Sequence, residues 1–148
     1  MRVVVQRVKY ATCTVDGKLT GKCDLGFLIL VGFREGDTQL EMDKMLKKVS
    51  GMRIFNDENG KMNRSLADIN GSILAISQFT LYAGCKRGNR PSFTEAMNYE
   101  TASKYYDKFC DDLNNLGIHT EKGIFGADMK IELLNDGPVT ILLDSDDL

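Results

Sequence analysis

The sequence predicts an α/β fold: one domain over residues 1–148 in which a mainly antiparallel sheet, curled towards a barrel, is backed by two helices. Three observations carry that expectation. Runs rich in Val, Ile, Leu and Phe recur between turn signals, and only two segments repeat apolar residues at helical spacing. At 148 residues and 43% hydrophobic content, the chain suits a single core, with no repeat, linker or low-complexity tract.

The chain opens with β pattern. "RVVVQRV" and "ATCTV" read as strands, Asp16-Gly17 is a two-residue hairpin signal before "KLTGKC", and "FLILVGF" reads as a buried strand. A helix follows: Thr38 and Glu41 have capping-box spacing, and Met42, Met45, Leu46 and Val49 fall at i, i+3, i+4 and i+7, which assigns the methionines to the core. "MRIFNDENGKMN" predicts a short strand with a polar turn, and "GSILAISQFTLYAG" a longer strand whose polar residues come late. The second helix carries Ala102, Tyr105, Tyr106, Phe109, Cys110, Leu113 and Leu116 on one face, with Gly117 placed to end it. "KIELL" and "VTILLD" read as closing strands and "DSDDL" as a frayed acidic tail.

Composition excludes several functions. A net charge of −2 and a pI near 5.4 argue against a protein that coats nucleic acid through its overall field, while Lys86, Arg87 and Arg90 in "CKRGNR" leave room for a local phosphate contact. No apolar run approaches ~20 residues, and Gln6 and Arg7 interrupt the N-terminal one, so no membrane span or signal peptide is expected and the location expected is cytoplasmic. The four cysteines, Cys13, Cys23, Cys85 and Cys110, form no C-x-x-C pair, which indicates neither a zinc site nor a disulfide framework. One histidine, His119, and no G-x-S-x-G leave a Ser-His-Asp triad unsupported. Neither a metal motif nor a phosphate-binding P-loop occurs, so no metal or cofactor is expected.

Three features call for partners. In "SQFTLYA" strand alternation puts Ser77, Phe79 and Leu81 on one face and Gln78, Thr80 and Tyr82 on the other, as at the rim of a site or where a strand leaves the core. Arg7 shares a face with Val3 and Val5, so its donors need carbonyls or carboxylates unless the side chain snorkels from a strand end. "NDGP" at 135–138 is hairpin-turn chemistry, or else Gly137-Pro138 presents backbone carbonyls to a ligand.

Together, "MRVVVQRV", "SQFTLYA" at 77–83, "KRGNRPSF" at 86–93 and "GIFGADMKIELLNDGPVT" at 123–140 resemble the D-aminoacyl-tRNA deacylases, in order and essentially end to end. The resemblance implies a homodimeric proofreading hydrolase that binds the acceptor end of aminoacyl-tRNA and cleaves the ester between a D-amino acid and the 3′-terminal ribose. It implies that Gly137-Pro138 is cis and enters the active site of the other subunit, steadied by Arg7. Ser77, Gln78, Phe79 and Thr80 would form the catalytic pocket, Ala127 and Met129 would contact substrate, and Lys86, Arg87 and Arg90 would contact tRNA.

Attractive pockets separate similar groups by only ~10–200-fold, whereas rejecting a mirror image by ~10⁴ takes about 5.5 kcal/mol. The Gly-Pro segment that the resemblance implies would supply that difference as a backbone wall excluding an L side chain, and would leave glycine, including glycine mischarged on tRNA-Ala, open to hydrolysis. Thr80 has no evident base, which favours activation of water by the vicinal ribose hydroxyl, with N–H groups near Phe79 and Thr80 stabilising the oxyanion. Gly84 stands where the family pattern has an acidic residue. A related branch carries "PQAT"; Ser77 and Phe79 place this chain with the D-specific branch. The rival functions are a general small-ester hydrolase and a dimer that binds nucleic acid through Lys86, Arg87 and Arg90.

Overall fold

In the computed structural model, which describes residues 1–148, one long strand organises the sheet. In chain order the elements are β1 (Arg2–Val15), β2 (Lys18–Cys23), β3 (Gly26–Gly32), α1 (Gln39–Gly51), β4 (Phe55–Asn56), β5 (Met62–Arg64), β6 (Ser72–Ser77), α2 (Tyr99–Asn115), β7 (Thr120–Lys122) and β8 (Lys130–Asp144). Turns of 3-10 helix lie at Ala67–Ile69, Phe79–Tyr82 and Ser145–Asp147. β1 joins the two N-terminal β segments without a break. Along one edge it pairs antiparallel with β3 through Arg2–Val8 and with β2 through Ala11–Val15; along the other it pairs antiparallel with β8.

β3–β6 and β6–β7 are parallel, so the sheet is antiparallel around β1 and parallel beyond β3. It curls until β2 meets β7: a Cβ added at Gly21 would lie 2.7 Å from the Lys122 carbonyl oxygen, and the Lys22 N–H donates to Glu121 Oε2 at 2.8 Å. The result is a nearly closed barrel around Val8, Ala11, Cys13, Cys23, Leu28, Leu74 and Ile76. A larger core lies where the helices cover the other side of Val3, Val5, Phe27, Ile29 and Val31.

Local chemistry explains the helices. The Thr38 hydroxyl accepts from the Leu40 N–H at 3.2 Å and the Glu41 carboxylate accepts from the Thr38 N–H at 2.7 Å, closing the capping box of α1. Asn98 Oδ1 caps α2 through the Thr101 N–H at 3.0 Å, and Gly117, at φ +82°, turns the chain away from its C-terminus. Tyr106, fully buried, packs α2 on the sheet and donates its hydroxyl to the Ala75 carbonyl at 2.8 Å.

Four expectations need correction. "DSDDL" is not frayed: Ser145–Asp147 form a 3-10 turn, the buried Ser145 hydroxyl accepts from the Met1 ammonium at 2.7 Å, and Arg34 pairs with Asp146. "GSILAISQFTLYAG" is not one strand: β6 stops at Ser77, where its partner β3 runs out, and residues 79–82 coil into a 3-10 turn, so the predicted two-face alternation there does not exist. "KIELL" and "VTILLD" are two halves of the single strand β8, because both pair with the same edge of β1; the Asn-Asp-Gly turn chemistry makes no hairpin. Leu116 lies outside the core, 57% exposed, because the α2 face turns away at its last residue.

The Tyr106→Phe variant tests the α2–sheet contact. Because the Ala75 carbonyl keeps a second donor, the Gly123 N–H, the expected loss in urea unfolding is about 1 kcal/mol with an unchanged m-value.

Candidate active site

A cleft of about 620 Å³ opens beside the ends of β3 and β6. Thirteen of its 17 lining residues are hydrophobic, among them Phe79, Phe93, Tyr99 and Phe125; the polar ones include Ser77, Gln78 and Asp128. Ala127 and Met129 line the same wall. The rings meet edge to face, Phe79 with Phe93 at 5.1 Å between centroids and Tyr99 with Phe125 at 5.0 Å, and Phe79 and Tyr99 remain more than half exposed. A mostly apolar concavity with a few convergent polar groups is the usual form of a ligand site.

The 3-10 turn reaches the cleft because β3 ends in glycine. A Cβ at Gly32 would lie 2.8 Å from the Gln78 carbonyl oxygen and 3.1 Å from Leu81 Cβ, so only a bare α-carbon lets the turn pack against the strand. The Gln78 N–H donates to the Val31 carbonyl at 2.7 Å and fixes the entry. Gln78 supplies no side-chain cap, which leaves the first N–H groups of the turn, those of Phe79 and Thr80, without an intrahelical acceptor. Thr80 is exposed and outside the cleft lining; its hydroxyl accepts from Gln78 Nε2.

Gly137-Pro138 lies elsewhere. The β1–β8 register passes from Gln6–Thr140 to Val8–Asn135, so Asp136–Val139 bulge out of the ladder opposite Arg7. The Gly137–Pro138 bond is cis, and both residues are exposed and outside the cleft of their own chain. Arg7, 7% exposed, does not snorkel: Nε donates to the Asp136 carbonyl at 2.9 Å and Nη1 to the Ile54 carbonyl at 2.7 Å, with the Asp136 carboxylate 3.5 Å away. Lys9 Nζ stands 3.4 Å from the same carboxylate.

The cleft thus unites Ser77, Gln78, Phe79, Ala127 and Met129, while Thr80 stands at its edge and Arg7, Gly137 and Pro138 form a separate projection. Lys86, Arg87 and Arg90 are exposed, on the segment leading to Phe93, and none makes a salt bridge. Sequence reasoning missed Phe93, Tyr99 and Phe125 as cleft residues. Phe93 and Phe125 lie within the quoted motifs, and Tyr99, next to the N-cap Asn98 and off the apolar stripe of α2, carries a readable signal of its own: a large aromatic with no core position.

No nucleophile–base pair lies in the cleft. His119 is exposed, with Nε2 3.2 Å from Glu121 Oε1, and is not a lining residue; Asp128 is bound by Lys130 Nζ at 2.9 Å. Burial pushes the Cys23 thiol up to about 11 and the Cys110 thiol up to about 12, so neither supplies a thiolate near neutral pH. What the site offers is an apolar pocket, exposed aromatic rings and the backbone N–H groups of the 3-10 turn.

The chain belongs to the D-Tyr-tRNA(Tyr) deacylase family, whose model matches residues 4–144. It is 54% identical over 144 residues to the D-aminoacyl-tRNA deacylase of Lactobacillus gasseri, covering 97% of this chain and 99% of that one. With the D-aminoacyl-tRNA deacylase of Parabacteroides distasonis it shares 51% over 146 residues, covering 98% and 97%. Among solved structures it superposes on a c-Myc DNA unwinding element binding protein with a TM-score of 0.91 at 39% identity, covering 97% and 98% of the two chains. A probable eukaryotic D-amino acid tRNA deacylase shares the fold, with a TM-score of 0.83 at 16% identity and coverage of 96% and 97%.

The Gly32→Ala variant should remain folded yet lose roughly tenfold or more in kcat/KM for ester hydrolysis, because a shift of about 1 Å at a positioned group can cost ~10² in rate. Steady-state assays beside a circular dichroism melt check this.

Proposed function

We propose that this hydrolase cleaves D-aminoacyl-tRNA at the 3′-terminal ribose in a homodimer, each cleft being completed by Gly137-Pro138 of the other subunit. The observation that carries the reading is the separation of parts: the cleft is open to solvent and its lining lacks Gly137-Pro138, while that segment projects from β8, held by Arg7 and outside the cleft of its own chain. An association of two copies supports it further. β8 pairs only with β1, leaving a 15-residue strand with a free edge and the exposed side chains of Leu134 and Leu142, a surface that natural proteins cover.

In this reading the backbone carbonyls of the projecting segment hold the α-ammonium of the substrate and leave no volume for an L side chain. Glycine passes, so glycyl-tRNA mischarged on tRNA-Ala is also a substrate. The exposed rings of Phe79, Phe93 and Tyr99 suit the terminal base, since aromatic stacking holds any base by its π-face. Lys86, Arg87 and Arg90 meet backbone phosphates near the acceptor end. The vicinal ribose hydroxyl activates water, and the N–H groups of Phe79 and Thr80 receive the developing oxyanion. No helix is long and apolar enough to cross a membrane, which accords with a cytoplasmic enzyme of translation quality control.

A second reading, binding of bare DNA, draws on the name of the 39% identical structure and on the same three basic residues. Strong, steeply salt-dependent binding to duplex DNA would favour it, because phosphate contacts release counterions. An enzyme that grips only an acceptor end shows little of either.

Three outcomes are expected with matched D-Tyr-tRNA and L-Tyr-tRNA. Wild-type protein hydrolyses the D-ester alone, and Gly137→Ala weakens that activity about tenfold or more: at φ +128° an added Cβ is strained and would sit 2.9 Å from Val139 Cγ2 and 3.0 Å from Arg7 Nη2. Thr80→Ala retains substantial deacylation; near-total loss with the fold and tRNA binding intact would instead make its hydroxyl the reacting group.

A further inference from the structure

We propose that Arg2 is a positioning residue for the deacylation reaction: it holds the exit of the 3-10 turn Phe79–Tyr82 from behind and ties that turn to β8, the strand that carries Gly137-Pro138. Three contacts place it there. Arg2 Nη1 donates to the Leu81 carbonyl at 2.9 Å, its guanidinium carbon lies 4.6 Å from the centroid of the Tyr82 ring, and Nε donates to Asp144 Oδ2 at 2.7 Å.

Each contact has a consequence for the site. Tyr82 is 2% exposed and its hydroxyl has no hydrogen-bond partner, so the ring is held by packing and by the cation on its face. Asp144 is itself anchored, since its other oxygen accepts from the Asp146 N–H at 3.1 Å as the cap of the turn Ser145–Asp147. Burial raises the Asp144 carboxyl, but the bonds from Arg2 and from the Asp146 N–H bring it below its ordinary value, so the pair stays charged at neutral pH. The turn is therefore fixed at both ends, by the Gln78 N–H on Val31 at its entry and by Arg2 at its exit. Between those two points lie the Phe79 ring and the N–H groups of Phe79 and Thr80. Releasing the exit lets them drift relative to the cleft and to the end of β8 together.

The inference rests on the deacylase reading, and the test separates the two. Hydrolysis of D-Tyr-tRNA is followed with kcat and KM resolved, for wild type, Arg2→Met, Arg2→Lys, Asp144→Asn and the Arg2→Met/Asp144→Asn double variant, each with a thermal melt. Arg2→Met keeps the aliphatic stem and removes the fork; it should lower kcat roughly tenfold, with KM within about twofold and the protein folded at the assay temperature. Arg2→Lys should recover part of that loss, and the double variant should be little worse than Arg2→Met, because the two residues share one tether. An unchanged kcat in Arg2→Met, or a loss matched entirely by unfolded protein in the melt, overturns the proposal. If wild type itself leaves the ester intact, the deacylase reading fails and this inference with it.

Discussion

Arg7 is the one charged side chain buried within the sheet, and the break in the β1–β8 ladder follows from it. A guanidinium taken out of water is destabilising by several kcal/mol unless its donors find acceptors. Here they find the Ile54 carbonyl on one side and the Asp136 carbonyl on the other. Satisfying that requirement draws Asp136 out of register and sends Gly137-Pro138 outward. The same bonds link the projection to the segment after α1, so it is a rigid feature of the fold and not a loose loop. Phe55, next to Ile54, stacks on Phe27 at 5.2 Å and anchors that segment in the main core.

The cleft depends on a second close approach of the same kind. Gly32 admits the backbone of residues 78–81 and Arg2 holds Leu81 and Tyr82 behind the turn, while Gln78 and Phe79 of the same segment line the cleft. Both devices use main chain where a side chain would be expected. Under the proposed function that economy has a purpose, because a backbone wall would read the α-carbon and ignore what lies beyond it.

The parts of the fold legible in the sequence are those decided within a few residues. The capping box at Thr38–Glu41, the stripe Met42–Val49 and the Gly117 stop each carry their own signal, and the structure has all three. Residues 78–82 read locally as strand, but what ends β6 at Ser77 is the last residue of β3, some 45 positions earlier in the chain. Asn135-Asp136-Gly137 looks the same locally whether it turns a hairpin or bulges from a ladder; the choice lies with β1. Arg7 was visible as an oddity on an apolar face, but its partners come from residues 47 and 129 positions away. The family motifs assigned roles to Ser77, Gln78, Phe79, Ala127 and Met129; Phe93 and Phe125 lie inside the same motifs without a role, and Tyr99 lies outside them, because only tertiary packing brings the three rings to the cleft.

Subunit complementation tests the central claim most directly. One chain carries Gly137→Val, which spoils the projection, and another carries Met129→Arg, which fills the cleft; each alone should be inactive on D-Tyr-tRNA. After the two are mixed, dissociated and reassociated, a projection supplied across the two-fold axis gives mixed dimers with one sound cleft, and activity returns to about a quarter of wild type. No recovery, with mixed dimers demonstrably formed, would mean that each subunit completes its own site and would contradict the account.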